Sequence, residues 1–293
     1  MRNSLLLAFS FLPILVCAKT ASPYKVDTSA PASYSGMKLV FDEEFNYTGK
    51  PDSTIWNYET GFVRNHELQW YQRDNANVKD GRLLIEGKQA NFENPSYDAN
   101  SKNWKKNRKT VNYTASSITT MNKKFWKFGR FEIRARIDTA MGAWPAIWFL
   151  GIDYEWPSSG EIDMLEFYRN ENKPIILANF VSGTTTKYSG KWNSSKTPLT
   201  TFTQNDKDWV RKYHVWRMDW TKDSIHLYLD DRLLNKTSIK QTVNPDGTQP
   251  FLQPQYLLLN LALGENGGDP SKSKFPITFE VDYVRVYQQE IKK

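Results

Sequence analysis

Between Met37 and Tyr287 the chain is a succession of short alternating or apolar runs, and no convincing amphipathic helix interrupts them. The runs include 38–45, 82–87, 116–120, 129–137, 143–150, 160–167, 213–220, 224–229, 256–262 and 277–287. Turn residues such as Lys79-Asp80-Gly81 and Asp230-Asp231 punctuate them. Many short strands without helices can bury their apolar faces only by packing sheet on sheet. The expected fold is therefore all-β, a concanavalin-like β-jelly-roll sandwich whose curved sheet leaves a concave cleft open to a polymer.

One run carries unusual chemistry. In Pro157-Ser-Ser-Gly-Glu-Ile-Asp-Met-Leu-Glu-Phe167 three carboxylates fall at uneven spacing. Glu161 and Asp163 are two apart and share one face of a strand, whereas Glu166, three further on, would point away from them on a regular strand. One inserted residue, a β-bulge, returns Glu166 to the same face. Asp and Glu are poor strand formers and three on one face repel, yet Ile162, Met164, Leu165 and Phe167 mark the segment as strand. Such a grouping suits glycosidic bond cleavage, which needs two carboxyl groups held in different protonation states. The competing reading is the solvated face of an antiparallel sheet, and spacing alone leaves the two about even.

Composition narrows the field. The chain has 293 residues, and its 11 Trp, 15 Tyr and 16 Phe exceed what a core of this size needs, so some flat rings are free for sugars or bases. A formal charge of +7 permits an acidic partner without requiring one. The basic run Lys102, Lys105, Lys106, Arg108 and Lys109 beside Trp104 reads as a solvated loop, and no nucleic-acid-binding motif accompanies it. No nucleic-acid partner is expected, and a monomer is.

Residues 1–18 read as a secretory signal: Arg2, an apolar run from Leu5 to Val16, and a small-residue cleavage site at Val16-Cys17-Ala18. That run is too short to span a bilayer, so no membrane span is expected and the protein is read as secreted, extracellular or periplasmic. Lipidation of Cys17 is the alternative; the bulky Val16 before it argues for simple secretion. Cys17 is the one cysteine, so the mature chain would hold no disulfide, thiolate metal site or cysteine nucleophile. Residues 19–36 read as an exported linker and 37–293 as one catalytic domain.

Trp144 and Trp148 are four apart and share a strand face, where they could stack on consecutive sugar rings; core packing competes evenly for Trp148 and less well for Trp144. Asn65-His-Glu-Leu-Gln-Trp-Tyr71 is polar and aromatic, suited to a loop that binds hydroxyls. His66, His214 and His226 occur in no metal-ligand spacing, and no phosphate loop or serine nucleophile elbow is present.

Taken in order, these segments resemble glycoside hydrolase family 16, especially its laminarinase-like endo-β-1,3(4)-glucanases. Gly160-Glu-Ile-Asp-Met-Leu-Glu166 is similar to the family's Glu-x-Asp-x-x-Glu strand, and Asn65-His-Glu-Leu-Gln69 to its Asn-x-Glu-x-Gln pattern. Leu39–Phe45, Trp56–Gly61, Phe125–Arg136, Trp144–Trp148, Tyr213–Trp220 and Val281–Tyr287 resemble further family segments, so the likeness covers most of residues 37–288. It implies a retaining endo-glycosidase on β-1,3- or mixed-linkage β-1,3-1,4-glucan. Glu161 would be the nucleophile, Glu166 the general acid/base and Asp163 the partner that sets their protonation. Asn65, Trp144 and Trp148 would bind substrate. No cofactor is required for catalysis. Some relatives bind a structural calcium through acids matching Glu44 and Asp282, with surface ion pairs as the competing reading. One departure stands out: many relatives carry a His in the strand after the catalytic one, where this chain has Leu177-Ala-Asn-Phe-Val-Ser-Gly183. A galactanase acting on agar, porphyran or carrageenan is the alternative enzyme. A non-catalytic glucan-recognition protein is a third reading, disfavoured because all three acids are present.

Overall fold

The structure is a computed structural model that describes residues 25–290. The signal, Cys17 and the first part of the 19–36 linker lie outside the described residues. The strands are β1 (Met37–Glu43), β2 (Asn57–Tyr58), β3 (Gln69–Tyr71), β4 (Ala76–Lys79), β5 (Arg82–Glu93), β6 (Thr110–Ala115), β7 (Ser117–Thr119), β8 (Gly129–Ile137) and β9 (Ala143–Gly151). They continue with β10 (Glu161–Asn170), β11 (Lys173–Gly183), β12 (Gly190–Pro198), β13 (His214–Trp220), β14 (Ser224–Leu229), β15 (Arg232–Ser238), β16 (Gln255–Leu263) and β17 (Ile277–Gln289). The α-helices described are single turns, Trp104–Asn107 and Thr200–Thr203. The expected all-β sandwich is what forms.

Two sheets face each other. One runs β15-β14-β13-β8-β17-β5-β6-β3, with β1 on β17 and β4 on β5; the other runs β12-β11-β10-β9-β16-β7-β2. Between them lies one core. Phe131, Ile133, Trp216, Met218, Leu227, Phe279 and Val284 of the first sheet meet Ile147, Phe149, Ile162, Leu165, Phe167, Ile176, Leu257 and Leu259 of the second, all fully buried. Period-two alternation puts one set of side chains from each strand into this core and the other set outside. On the second sheet that outer set is where the chemistry gathers.

The bulge expected from spacing is present. Asp163 pairs with Trp148 of β9 and Asn179 of β11, whereas Leu165 pairs with Ile147 and Glu166 with Leu177. Met164 and Leu165 thus oppose the single residue Ala178, and both are buried in the core. The extra residue turns Glu166 back to the face of Glu161 and Asp163.

Candidate active site

On the outer face of the second sheet, Trp144, Ala146, Trp148 and Leu150 of β9 lie beside Glu161, Asp163, Glu166 and Tyr168 of β10, and these side chains line a cleft of about 770 Å³. Asn179 of β11 and Trp192, Ser194 and Lys196 of β12 continue its floor. Arg64, Asn65, His66 and Glu67 rise from the loop before β3 as its wall. The cleft thus brings Glu161, Asp163 and Glu166 together with Asn65, Trp144 and Trp148, all six residues that sequence reasoning assigned to catalysis or substrate.

Each carboxylate of the trio is held differently. The indole N–H of Trp156 donates to Glu161 Oε2. Glu166 accepts from Trp144 Nε1 at 3.0 Å on one oxygen and from Asn179 Nδ2 at 2.9 Å on the other. Asn179 Nδ2 also donates to Asp163 Oδ2 at 3.0 Å. Burial pushes Glu166 up to about 8, reinforced by the charge of Glu161 and opposed by the N–H groups of Trp144 and Asn179. Burial and then the charges of Glu161 and Glu166 push Asp163 well above the usual carboxylate range. Burial raises Glu161 as well, but the hydrogen bonds from Trp156 and Asp163 pull it back towards its ionised form. The three titrate as one unit. The arrangement sets Glu166 as a protonated acid near neutral pH, with Asp163 holding a proton against Glu161.

The wall beside the trio is a polar relay. Trp148 Nε1 donates to Asn260 Oδ1 at 2.7 Å, Asn260 Nδ2 donates to the Tyr71 hydroxyl at 3.0 Å, and that hydroxyl donates to Glu67 Oε2 at 3.3 Å. Gln69 Nε2 closes on the same Glu67 oxygen at 2.6 Å. Glu67 is a fourth carboxylate of the cleft and, like Asp163, a buried one; burial raises it, and its charge adds to the upward push on Glu166. Arg64 lies 5.0 Å from the centre of the Trp148 ring and pairs with Glu59. Asn65 takes a positive φ of 54° and donates to Glu67 at 3.3 Å, so its amide serves the wall as well as the cleft.

Two expectations change. Trp144 and Trp148 line the cleft as parity requires, but they are only 6% and 9% exposed. Trp144 stands edge-on to Tyr168 at 5.5 Å. Their chief contribution is an N–H each, to Glu166 and to Asn260, rather than an open stacking face. The aromatic face left open in the cleft is Trp192, at 51% exposure. At Glu44 and Asp282 the structure shows ion pairs, the competing reading. Glu44 grips Arg285 through both oxygens, at 2.7 and 2.9 Å, and Asp282 accepts from Arg134 and from the Asp27 N–H at 2.8 Å. Among the described residues no group of three or more His, Cys, Asp or Glu side chains could hold a metal.

Arg64, Glu67, Trp156, Asn179 and Asn260 were not singled out from sequence. Glu67 lay inside the Asn-x-Glu-x-Gln pattern, and Asn179 lay at the very departure already noted, so both had a signal. Arg64 and Trp156 border the Asn65–Tyr71 and Pro157–Phe167 segments but carried no periodicity or motif of their own, and Asn260 enters only through the pairing of β16 with β9.

With this geometry in place, comparison with known proteins identifies the class. Residues 65–285 match the family described as Glycosyl hydrolases family 16. The chain belongs to that family. It is 34% identical over 289 residues to Glucan endo-1,3-beta-glucosidase A1 of Niallia circulans, covering 90% of this chain but 40% of that protein. It is 32% identical to Beta-glucanase of Rhodothermus marinus, covering 86% of this chain and 85% of that one. It is also 28% identical to Keratan-sulfate endo-1,4-beta-galactosidase of Sphingobacterium multivorum, covering 94% of this chain and 61% of that one. Among solved structures, a protein from work on endo-acting O-glycanases, with which human gut microbiota initiate mucin breakdown, superimposes with a TM-score of 0.80 at 32% identity. That match covers 89% of this chain and 94% of the other. SCLam, a non-specific endo-beta-1,3(4)-glucanase, gives 0.71 at 30% identity, covering 89% and 95%. This is a glycoside hydrolase with laminarinase-type homologues, and no helix among the described residues is long and apolar enough to cross a membrane.

Proposed function

We propose that the protein is a secreted, endo-acting, retaining β-glycanase that cleaves β-1,3- or mixed-linkage β-1,3-1,4-glucan. The observation that carries this reading is the bulge at Met164, which gathers Glu161, Asp163 and Glu166 on the open face of one strand. In the first step Glu161 attacks the anomeric carbon while Glu166 gives its proton to the departing glycosidic oxygen, leaving a glycosyl-enzyme ester. In the second, Glu166, now ionised, takes a proton from water, which attacks the same carbon and releases Glu161. Asp163 donates a hydrogen bond to Glu161 and so steadies the nucleophile as charge leaves it. No metal enters either step. A sugar hydroxyl in place of water would give transglycosylation by the same route. Export through the leader at 1–18 and a monomeric state complete the reading.

A specific observation favours a second substrate class. The TM-score of 0.80 against the O-glycanase-related structure exceeds the 0.71 against SCLam at comparable coverage. With the keratan-sulfate galactosidase relative, it supports an endo-β-galactosidase acting on host glycans, a nearer reading than agar, porphyran or carrageenan cleavage. Product analysis on laminarin, mixed-linkage glucan, agarose, carrageenan, keratan sulfate and mucin O-glycans, side by side, separates the two. Short oligosaccharides from laminarin or mixed-linkage glucan support the first reading. Release confined to keratan sulfate or O-glycans replaces it with the second.

A further inference from the structure

Asn179 occupies the strand in which this chain departs from the family pattern. It pairs in register with Asp163 on one side and Ser194 on the other, and it is 1% exposed. A primary amide has two N–H hydrogens, and both are spent on carboxylates, one on Asp163 and one on Glu166. Its own Oδ1 is buried with no hydrogen-bond partner among the described residues. Turning the amide over would set that oxygen against Asp163 Oδ2, whose carboxyl holds its proton towards Glu161, so the donors stay inward. An isosteric leucine would fill the same space without stranding an acceptor, and an amide that strands one to hold two acids does more than pack.

We propose that Asn179 is the positioning residue of the proton donor, bridging Asp163 and Glu166 so that the Glu166 carboxyl is aimed at the leaving oxygen. This rests on Glu166 being the general acid/base. Glu161, Glu67, Trp144 and Asn179 act directly on Glu166, and Tyr168 senses its charge. The other titratable groups lining the same cleft are Asp163, Arg64, His66, Lys196 of β12 and Glu265 of the turn after β16. Trp144 and Asn179 are the side chains that donate to it.

Asn179→Leu removes one donor that favours ionised Glu166, so the acid should hold its proton to higher pH. The alkaline limb of kcat/KM should move up by about half to one pH unit. Because aim matters most when protonation is demanding, kcat on polysaccharide should fall by roughly 10- to 100-fold. Turnover of an activated aryl glycoside should fall less than about threefold, since its leaving group needs little proton donation. Asn179→His, which restores one donor, should recover part of the polysaccharide activity. Asn179→Ser, too short to bridge both acids, should behave as the leucine variant does, and it serves should leucine unfold the protein. Equal losses on both substrates with an unmoved alkaline limb overturn the proposal. An unimpaired Glu166→Ala variant would remove the assignment on which it stands, and that result is distinguishable because it does not involve Asn179.

Discussion

Replacing Glu166 by Gln should abolish turnover and yet gain stability relative to the wild type as pH rises. The substitution keeps volume and shape and removes the charge, but the glutamine amide nitrogen cannot accept, so either Trp144 or Asn179 loses the partner it has on Glu166, a cost that does not vary with pH. In the unfolded chain this carboxyl titrates near 4.5, while burial and the neighbouring Glu161 raise it to about 8 in the folded protein. Below the lower value both states hold the proton and the group costs nothing. Between the two the folded state keeps a proton that the unfolded state has released, so stability falls with rising pH; above about 8 the full cost is present. That interval, at ~1.36 kcal/mol per pH unit, sets a ceiling of roughly 5 kcal/mol. Water in the open cleft and sharing of charge with Asp163 and Glu161 reduce the expected gain to about 2–3 kcal/mol. For a domain of this size that corresponds to ~4–12 °C in Tm. Thermal melts of both proteins from pH 4 to 9 provide the assay. Apart from the constant offset of that unpaired N–H, the Tm of the variant relative to the wild type should climb between pH 4.5 and pH 8.5. A gap independent of pH, or one that narrows as pH rises, would refute the claim that the fold holds Glu166 as a protonated acid.

Other outcomes follow from the same geometry. Glu161→Ala should form no glycosyl-enzyme, and azide should give an inverted glycosyl azide from a substrate with a good leaving group. Glu166→Ala should still react with activated aryl glycosides and be rescued by azide with retention, which NMR of the products distinguishes. Trp144→Ala empties a largely buried site and should cost roughly 3–5 kcal/mol, so Trp144→Phe is the cleaner probe. The phenylalanine variant should keep most of its stability, lose the N–H to Glu166 and move the alkaline limb of the pH–rate profile upward. A chelator or added calcium should leave the melting curve unchanged, whereas Glu44→Ala, by stranding the buried Arg285, should lower stability by about 2–4 kcal/mol in denaturant melts.

Strands with strong alternation were legible from the chain alone. The runs at 129–137 and 224–229 coincide with β8 and β14, because both alternate core and outward side chains cleanly. The bulge was legible too, since residues 161, 163 and 166 can share a face in no simpler way. By contrast β12 reads Gly190-Lys-Trp-Asn-Ser-Ser-Lys-Thr-Pro198, a polar strand at the sheet edge whose pattern is that of a loop. Parity put Trp144 and Trp148 on the correct face but could not show how far their rings are covered. Exposure depends on Tyr168 across the strand pair and on Arg64, which comes from the loop before β3. The ion pairs of Glu44 and Asp282 were hidden for a similar reason. Their claimants, Arg285 and Arg134, lie 241 and 148 residues away in sequence and arrive only through the pairing of β17 with β1 and β8. Asn179 was visible as an oddity, but its bond to two acids emerges only from the register of β10 on β11.

The central claim is that Glu161 and Glu166 act as nucleophile and acid/base on one strand. The most direct test is time-resolved proton NMR of the anomeric signals as the wild-type enzyme acts on the polysaccharide it degrades. A double displacement predicts that newly formed reducing ends appear first as the β-anomer and reach the α/β equilibrium only by later mutarotation. Appearance of the α-anomer first would mean a single inverting displacement and would contradict the account.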